Sequence, residues 1–410
     1  MSKKVTINQR VGEFSAGMSL FDIGESMGIA VPSSCRGQGK CRECLMEITT
    51  GMESLTPPVP EESHLQEDFR LSCCTRLTEV PGEVQAHTMR RADINIEEGA
   101  MNLPPEATPE KYDPAVTRDG DRILIEGEAV ATGTGPLLGL AIDIGTTTVV
   151  VRAVDLEAGK IVATTSLENP QRFGGTDVMS RIQYDTDHPG RLLQRTLLGY
   201  LSRAIKQLPI DTNDIYEIVV AGNPTMRDLF LGMDVKTIGQ RPYRSLSEKA
   251  WRDGEATTTA VIKSAKSLRL PANPAARVYA MPVVSGHVGG DAAACLLAVA
   301  GDRSDKIIAI MDIGTNTEVF IGQRDRLLAA SCPAGPAFEG RAITQGMPGL
   351  AGAIEKVHID ENDNVEISVI GGGKPEGICG SGLISLLAEL KRTEQMNAFG
   401  RFEDGETSFM

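Results

Sequence analysis

No uninterrupted apolar run in this chain of 410 residues reaches the roughly 20 residues that a membrane-spanning helix needs. The opening MSKKVTINQR has no apolar segment behind its lysines, so no secretory signal is expected. Basic clusters are scarce too. The formal net charge is −14, and pairs such as Arg90-Arg91 read as solvated linker charges. Neither a nucleic-acid partner nor a membrane is therefore expected. The acidic balance favours solubility and fits protein or small-molecule partners. No Ser-His-Asp triad or carboxylate pair is legible, and no general base is assigned. What is present describes a cytoplasmic globular protein, 41% hydrophobic and 23% charged, long enough for two or three domains. Such a chain needs no disulfide framework, so its eight cysteines are expected as reduced thiols or metal ligands.

Residues 1–88 read as one α+β unit. VTIN (5–8) is expected as a strand, Ser19 as the cap of a helix to about Met27, and CLMEITT (44–50) as a strand stopped by Gly51. PEESHLQEDF suggests a short helical piece. Residues 89–136 hold Pro104, Pro105, Pro109, Pro114 and many acids, and read as a linker with one hairpin, RILIEG then EAVATG. From Leu137 the chain alternates apolar strands (LGLAIDIG, TVVVRAV, EIVVAGN) with helical stretches such as PGRLLQRTLLGYLSRAIKQL, the pattern of an α/β domain. A repeat runs through it. GLAIDIGTTTVVVRAV (139–154) and IAIMDIGTNTEVFIG (308–322) share strand, Asp-Ile-Gly-Thr-x-Thr, strand, with Asp143 and Asp312 169 residues apart. That spacing suggests two similar lobes, 137–305 and 306–410, rather than a solenoid.

Three cysteines crowd into SSCRGQGKCRECLMEI (33–48) with spacing Cys35-x5-Cys41-x2-Cys44, and Cys73 follows after 28 more residues. Three thiolates on one loop and a fourth far away suit a two-iron cluster. Gly37 and Gly39 let the loop wrap closely, with backbone N–H groups turned to the sulfurs. Zinc normally takes Cys-x2-Cys pairs on both sides, and here only Cys41 and Cys44 form one. A redox dithiol has no use for Cys35 or a distant fourth thiol. The stretch resembles the 2Fe–2S ferredoxins of the β-grasp fold, whose last ligand lies in a motif like Arg-Leu-x-Cys. That resemblance covers residues 3–88 and makes RLSC (70–73) supply Cys73. Cys74 then reads as a small buried side chain, with ligand exchange to it left open.

An Asp-Ile-Gly-Thr turn offers backbone N–H groups and hydroxyls in a small concave space, a nest for phosphate, and its aspartate can hold hydrated Mg²⁺. A duplicated fold without a live site is the plain alternative. The two turns resemble those of the actin, sugar-kinase and heat-shock-chaperone superfamily. The resemblance implies ATP and Mg²⁺ at Asp143, Gly145, Thr146 and Thr147, and at Asp312, Gly314, Thr315 and Asn316. It also implies an adenosine motif at Gly380, Ser381 and Gly382 in GICGSGLISLLAEL (377–390), where a helix amino terminus would face the nucleotide. Ordinary helix–strand packing is the competing reading of that glycine run. Asp143 and Asp312 are the candidate catalytic acids.

The combination resembles the reductive activators of corrinoid proteins. NPQRFGGTDVMSRI (169–182), AGNPTMRDLFLG (221–232), SGHVGGDAAA (285–294) and PAGPAFEGRAITQGM (333–347) agree with that family. The resemblance implies a β-grasp ferredoxin domain followed by an actin-like two-lobed ATPase domain. It further implies ATP-driven reduction of Co(II) to Co(I) on a corrinoid protein of a methyltransferase system, with electrons from a low-potential donor. A homodimer is compatible with it. Two departures are expected: the middle domain of some members is absent or vestigial, and the second lobe, with 98 residues after Asp312, is incomplete. An electron carrier whose degenerate nucleotide domain only docks partners is the rival from the binding class, and a small-molecule kinase is a third reading. Cys295, Cys332 and Cys379 are expected as buried free thiols. Asp177 and Arg181 are expected as a local ion pair, and His287 as a packing side chain.

Overall fold

The computed structural model describes residues 2–33, 35, 37–89, 113–314, 316–334, 337 and 343–402. Among these, 2–89 and 113–298 form one compact unit and 299–402 a second.

The first unit begins with β1 (Ser2–Ile7), β2 (Arg10–Ser15), α1 (Leu20–Ser26), β3 (Leu45–Thr50), β4 (Phe69–Leu71) and β5 (Val84–Thr88). They make a five-stranded mixed sheet, β2-β1-β5-β3-β4, in which β1 and β5 run parallel. The expected boundaries are present. Ser19 caps α1 by accepting the Asp22 amide at 3.1 Å, and Gly51 ends β3 at φ 85°, a conformation costly for any other residue. The helical piece expected in PEESHLQEDF is one 3₁₀ turn, Pro60–Glu62. Val5, Ile7, Leu20, Ile23, Leu45, Met46 and Leu71 bury α1 against the sheet.

The expected hairpin is β7 (Arg122–Ile125) with β8 (Glu128–Thr132), and β6 (Val116–Asp119) adds a third antiparallel strand. Val116 and Ile123 bury themselves with Leu137 and Tyr216, which is why the segment folds despite its polar composition.

A six-stranded sheet follows. It is built from β9 (Leu138–Ile144), β10 (Thr148–Asp155), β11 (Lys160–Glu168), β12 (Ile215–Gly222), β13 (Val261–Ser264) and β14 (Arg277–Ala280), ordered β11-β10-β9-β12-β14-β13. The meander β9–β11 is antiparallel, while β9, β12 and β14 run parallel. The helices are α2 (Val178–Asp187), α3 (Leu192–Gln207), α4 (Pro224–Leu231), α5 (Leu246–Arg252) and α6 (Gly290–Ala298). Leu193, Leu197, Tyr200, Leu201 and Ile205 form the buried stripe of α3, at helical spacing.

The second unit repeats the meander as β15 (Ile308–Ile313), β16 (Asn316–Gln323) and β17 (Arg326–Pro333). A second sheet, β19-β18-β20, contains β18 (Ala353–Ile359), β19 (Val365–Val369) and β20 (Gly377–Ile378), with α7 (Gly380–Arg392) packed on β18 through Leu390, Val357 and Ile359. No helix among the described residues is long and apolar enough to cross a membrane.

Candidate functional site

Antiparallel pairing of β3 with β4 sets Leu45 opposite Leu71, so the residues flanking them, Cys44 and Cys73, emerge at the same end. The Ser72 amide donates to the Cys44 carbonyl at 2.9 Å, and the two sulfurs lie 3.3 Å apart. Cys35 and Cys41 form a second pair, with the Ser33 hydroxyl 3.9 and 4.0 Å from their two sulfurs. Burial pushes the Cys35 thiol up, but the backbone N–H groups of Cys41, Lys40 and Gln38 outweigh it and bring it down to about 6. The Cys73 thiol holds Cys44 at about 7, and Cys73 itself is pushed up by the same contact. Two thiol pairs with amides directed at sulfur fit a group with two metal positions. No three His, Cys, Asp or Glu side chains converge on one ion position among the described residues.

The loop keeps left-handed backbone at Gly37 (φ 79°) and Gly39 (φ 72°). A side chain at Gly39 would sit 3.2 Å from the Cys74 sulfur, so that position needs glycine twice over. Cys74 lies 3.7 Å from Cys73, half-buried against the apolar core, with its thiol pushed up by burial. Ser34 and Arg36 lie outside the described residues. The sequence reading missed a clamp under Cys73. Glu62 takes Arg70 through two hydrogen bonds, 3.0 and 3.1 Å, and accepts the Leu71 amide at 2.7 Å, all buried. A carboxylate in PEES looks solvated in sequence, and only an arginine beside the last cysteine motif hints at its partner.

The cysteine loop rests on the six-stranded lobe. Tyr200 of α3 donates its hydroxyl to the Glu43 carbonyl, between Cys41 and Cys44, at 3.0 Å. Glu47 of β3 accepts Arg172 at 2.9 and 3.1 Å, and Arg172 also pairs with Glu168. The His64 ring meets Phe173 edge-on, with centroids 6.2 Å apart. Burial, reinforced by the positive charge of Arg42, lowers His64 to about 4.

The same segment reaches the first Asp-Ile-Gly-Thr turn. Glu168 stands opposite Thr148, the Asn169 amide donates to Thr147 O at 2.6 Å, and its side chain donates to Gly145 O at 2.8 Å. Arg181, fully buried, donates to Thr146 O at 2.7 Å, and Asn223 at the start of α4 donates to the Thr146 hydroxyl at 3.3 Å. A side chain at Gly289 would strike Asn223 Cα at 2.5 Å. Two of the four stretches singled out in the sequence thus converge on this turn, and a third packs behind Asn223. Gly145 is required there, since a Cβ would lie 2.7 Å from Thr148 O. Thr146 and Thr147 are buried, and Asp143 is exposed at the end of β9.

The second turn is tighter. Ile313 pairs with Thr317, and Gly314 donates to Asn316 O at 3.1 Å. Asp312 is half-buried; Thr315, and residues 335, 336 and 338–342 of PAGPAFEGRAITQGM, lie outside the described residues. Gly380, Ser381 and Gly382 form the first turn of α7, as the sequence suggests. A Cβ at Gly382 would fall 2.1 Å from Ile354 O, so close packing on β18 is one reason for that glycine.

Other expectations fare unevenly. Asp177 spends its carboxylate on the Ser180 amide at 2.9 Å, capping α2, while Arg181 turns to Gly175 O and Thr146 O. Cys379 is buried and Cys295 half-buried, but Cys332 is exposed. It shares a face of its sheet with Leu328 and Met311, 61% and 63% exposed, and apolar neighbours in sequence do not tell which face is covered. His287 packs by Tyr243, ring centroids 5.6 Å apart, and burial lowers its pKa.

Residues 5–78 match the 2Fe–2S iron–sulfur cluster binding domain, 138–304 the RACo middle region, and 306–409 the carboxyl-terminal domain of RACo, the ASKHA domain. Corrinoid activation enzyme RamQ of Eubacterium limosum is 37% identical over 277 residues, 66% of this chain and 44% of that protein. A Co(II) methylated amine-specific corrinoid protein reductase of Methanosarcina barkeri is 26% identical over 53% of this chain and 40% of its own length. The chain spans less than half the length of either. A solved reductive activator for corrinoid, iron–sulfur protein superposes with a TM-score of 0.64 at 29% identity, over 98% of this chain and 74% of that one.

Proposed function

We propose, for a chain that belongs to the RACo family by its 2Fe–2S, middle and carboxyl-terminal domains, that it reductively activates a corrinoid protein, Co(II) to Co(I), using ATP. The observation that carries the reading is the pairing of thiols, Cys35 with Cys41 and Cys44 with Cys73, in the domain that matches 2Fe–2S proteins. Each pair would hold one iron, and the cluster, when bound, supplies a one-electron carrier. Amides on Cys35 stabilise thiolate there, and the Glu62–Arg70 clamp fixes where Cys73 stands.

On the nucleotide side, Gly145, Thr146 and Thr147 would cradle phosphate in one turn, and Gly314, Thr315 and Asn316 in the other. Asp143 and Asp312 would hold Mg²⁺ and carry the catalytic role, with Gly380, Ser381 and Gly382 toward the adenosine. Electron transfer to Co(II) at low potential is uphill, and nucleotide turnover can drive it only by favouring one conformation over another. The partner is a corrinoid protein of a methyltransferase system, the donor a low-potential reductant, and the setting cytoplasmic.

The test is anaerobic mixing of the protein with such a corrinoid protein and a reductant. Co(I) absorbance should rise with Mg-ATP and stay flat without it. Cys73→Ser should abolish the rise and bleach the cluster spectrum, while Cys74→Ser keeps both. A normal cluster with no nucleotide hydrolysis and no Co(I) would leave only an electron carrier and overturn the ATP-driven reading.

A further inference from the structure

A cavity of about 660 Å³ opens beside the cysteine loop, with Cys41 and Glu43 on one wall and Arg191, Arg195, Lys263 and Arg269 on the other. Four cations face one carboxylate here, in a chain whose net charge is −14. Among the described residues none of the four forms a close ion pair; Arg191 and Lys263 feel carboxylates only at longer range, at Asp185 and Asp228. Lys263 is pinned toward the cavity by donating to Leu231 O at 2.7 Å. Arg191 and Arg269 both hold left-handed backbone, each at φ 55°, where arginine is disfavoured. Two such residues bordering one cavity is the kind of strain that collects at binding sites.

We propose that this cavity is the docking site for an acidic segment of a protein that passes electrons to the cluster. Charge complementarity argues for the occupant. Arg191, just before α3, Arg195 on its first turn, and Arg269 after β13 form an exposed basic rim that would steer a carboxylate-rich surface to the protein. Cys41 in the cavity wall places the arriving carrier at the edge of the metal centre. One electron leaves the reduced carrier and one enters the oxidised cluster, and no bond or proton moves. The inference rests on the cluster reading above.

The probe is reduced flavodoxin, an acidic one-electron carrier, mixed anaerobically with the cluster-loaded protein. Cluster reduction should slow steeply with added salt. In Arg191→Glu/Arg195→Glu/Arg269→Glu it should be at least about tenfold slower and nearly independent of salt, as lost steering requires. Reduction by methyl viologen radical, a small cation, should stay within about twofold. Arg195→Gln, judged by an unchanged cluster spectrum, gives the same test should the triple variant misfold. Equal flavodoxin rates in wild type and variants, or a wild-type rate insensitive to salt, overturn the proposal. So does a cavity filled by inorganic phosphate without any effect on the flavodoxin rate, which would make it a small-anion site. A protein lacking cluster absorbance sinks the cluster reading instead, and flavodoxin binding to it, followed by titration, still decides the cavity.

Discussion

The two Asp-Ile-Gly-Thr turns have nearly the same residues but not the same register. In the first, Ile144 pairs with Val149, leaving four residues, 145–148, between them. In the second, the equivalent Ile313 pairs with Thr317 and leaves three. One residue of slip exchanges the faces of everything beyond it, so Asp143 stands opposite Val150 and Asp312 opposite Glu318. The cause lies outside the repeat. Asn169 and Arg181 take the carbonyls of Gly145, Thr146 and Thr147, which holds the first turn open. Local sequence specifies that a hairpin forms, and its neighbours specify how wide it is.

The sharpest way to break the comparison is to neutralise each aspartate. Asp143→Asn and Asp312→Asn should each lower ATP hydrolysis by about 100-fold, the usual cost of removing one electrostatic contact to a reacting phosphate. Steady-state phosphate release measures it. Equal losses would show that turns of different width serve one reaction. A loss confined to Asp143→Asn would make the second turn a structural copy.

Sequence reading reached the hairpins and the ferredoxin elements because each is written in contiguous residues. Ser19 caps, Gly51 stops a strand, and α3 shows its stripe over 16 residues. What escaped depends on partners distant in the chain. Glu62 finds Arg70 only after the chain folds back, and Arg172 meets Glu47, 125 positions away. Strand β6 is not legible in sequence because its buried partners, Leu137 and Tyr216, lie outside the hairpin it joins. Cys332 is exposed although its sequence neighbours are apolar, because alternation gives two faces without saying which is covered.

A smaller effect tests the support of the first turn directly. Arg181→Met removes the donor to Thr146 O and Gly175 O from a fully buried position. Leaving buried carbonyls unpaired should cost about 2 kcal/mol of stability. It should also weaken nucleotide binding about tenfold as the turn narrows, a shift of about 1.4 kcal/mol. Ser331→Ala, which removes the hydrogen bond to Glu318 beside the second turn, should cost under about 1 kcal/mol because that bond is only part-buried. Thermal unfolding and nucleotide titration separate the two. Similar costs would mean that the clamp on the first turn is incidental.

The smallest effect concerns what the first turn is tied to. Glu47 lies in β3, which leads directly from Cys44, and Arg172 joins it to Glu168, the neighbour of Thr148. A movement of the first turn on binding nucleotide would therefore be felt at the strand behind the metal centre through two ion pairs. Single substitutions overstate such a link, because either one strands a charge. A double-mutant cycle with Glu47→Gln and Arg172→Met removes that error, and a coupling of about 1 kcal/mol is expected for a part-buried pair. The informative readout is amide exchange in β3 with and without Mg-ATP. In the wild type, nucleotide should slow exchange there, and in Arg172→Met it should not, although nucleotide still binds. If β3 responds equally in both, the cysteine loop follows the first turn through the Tyr200–Glu43 contact on α3 rather than through this arginine.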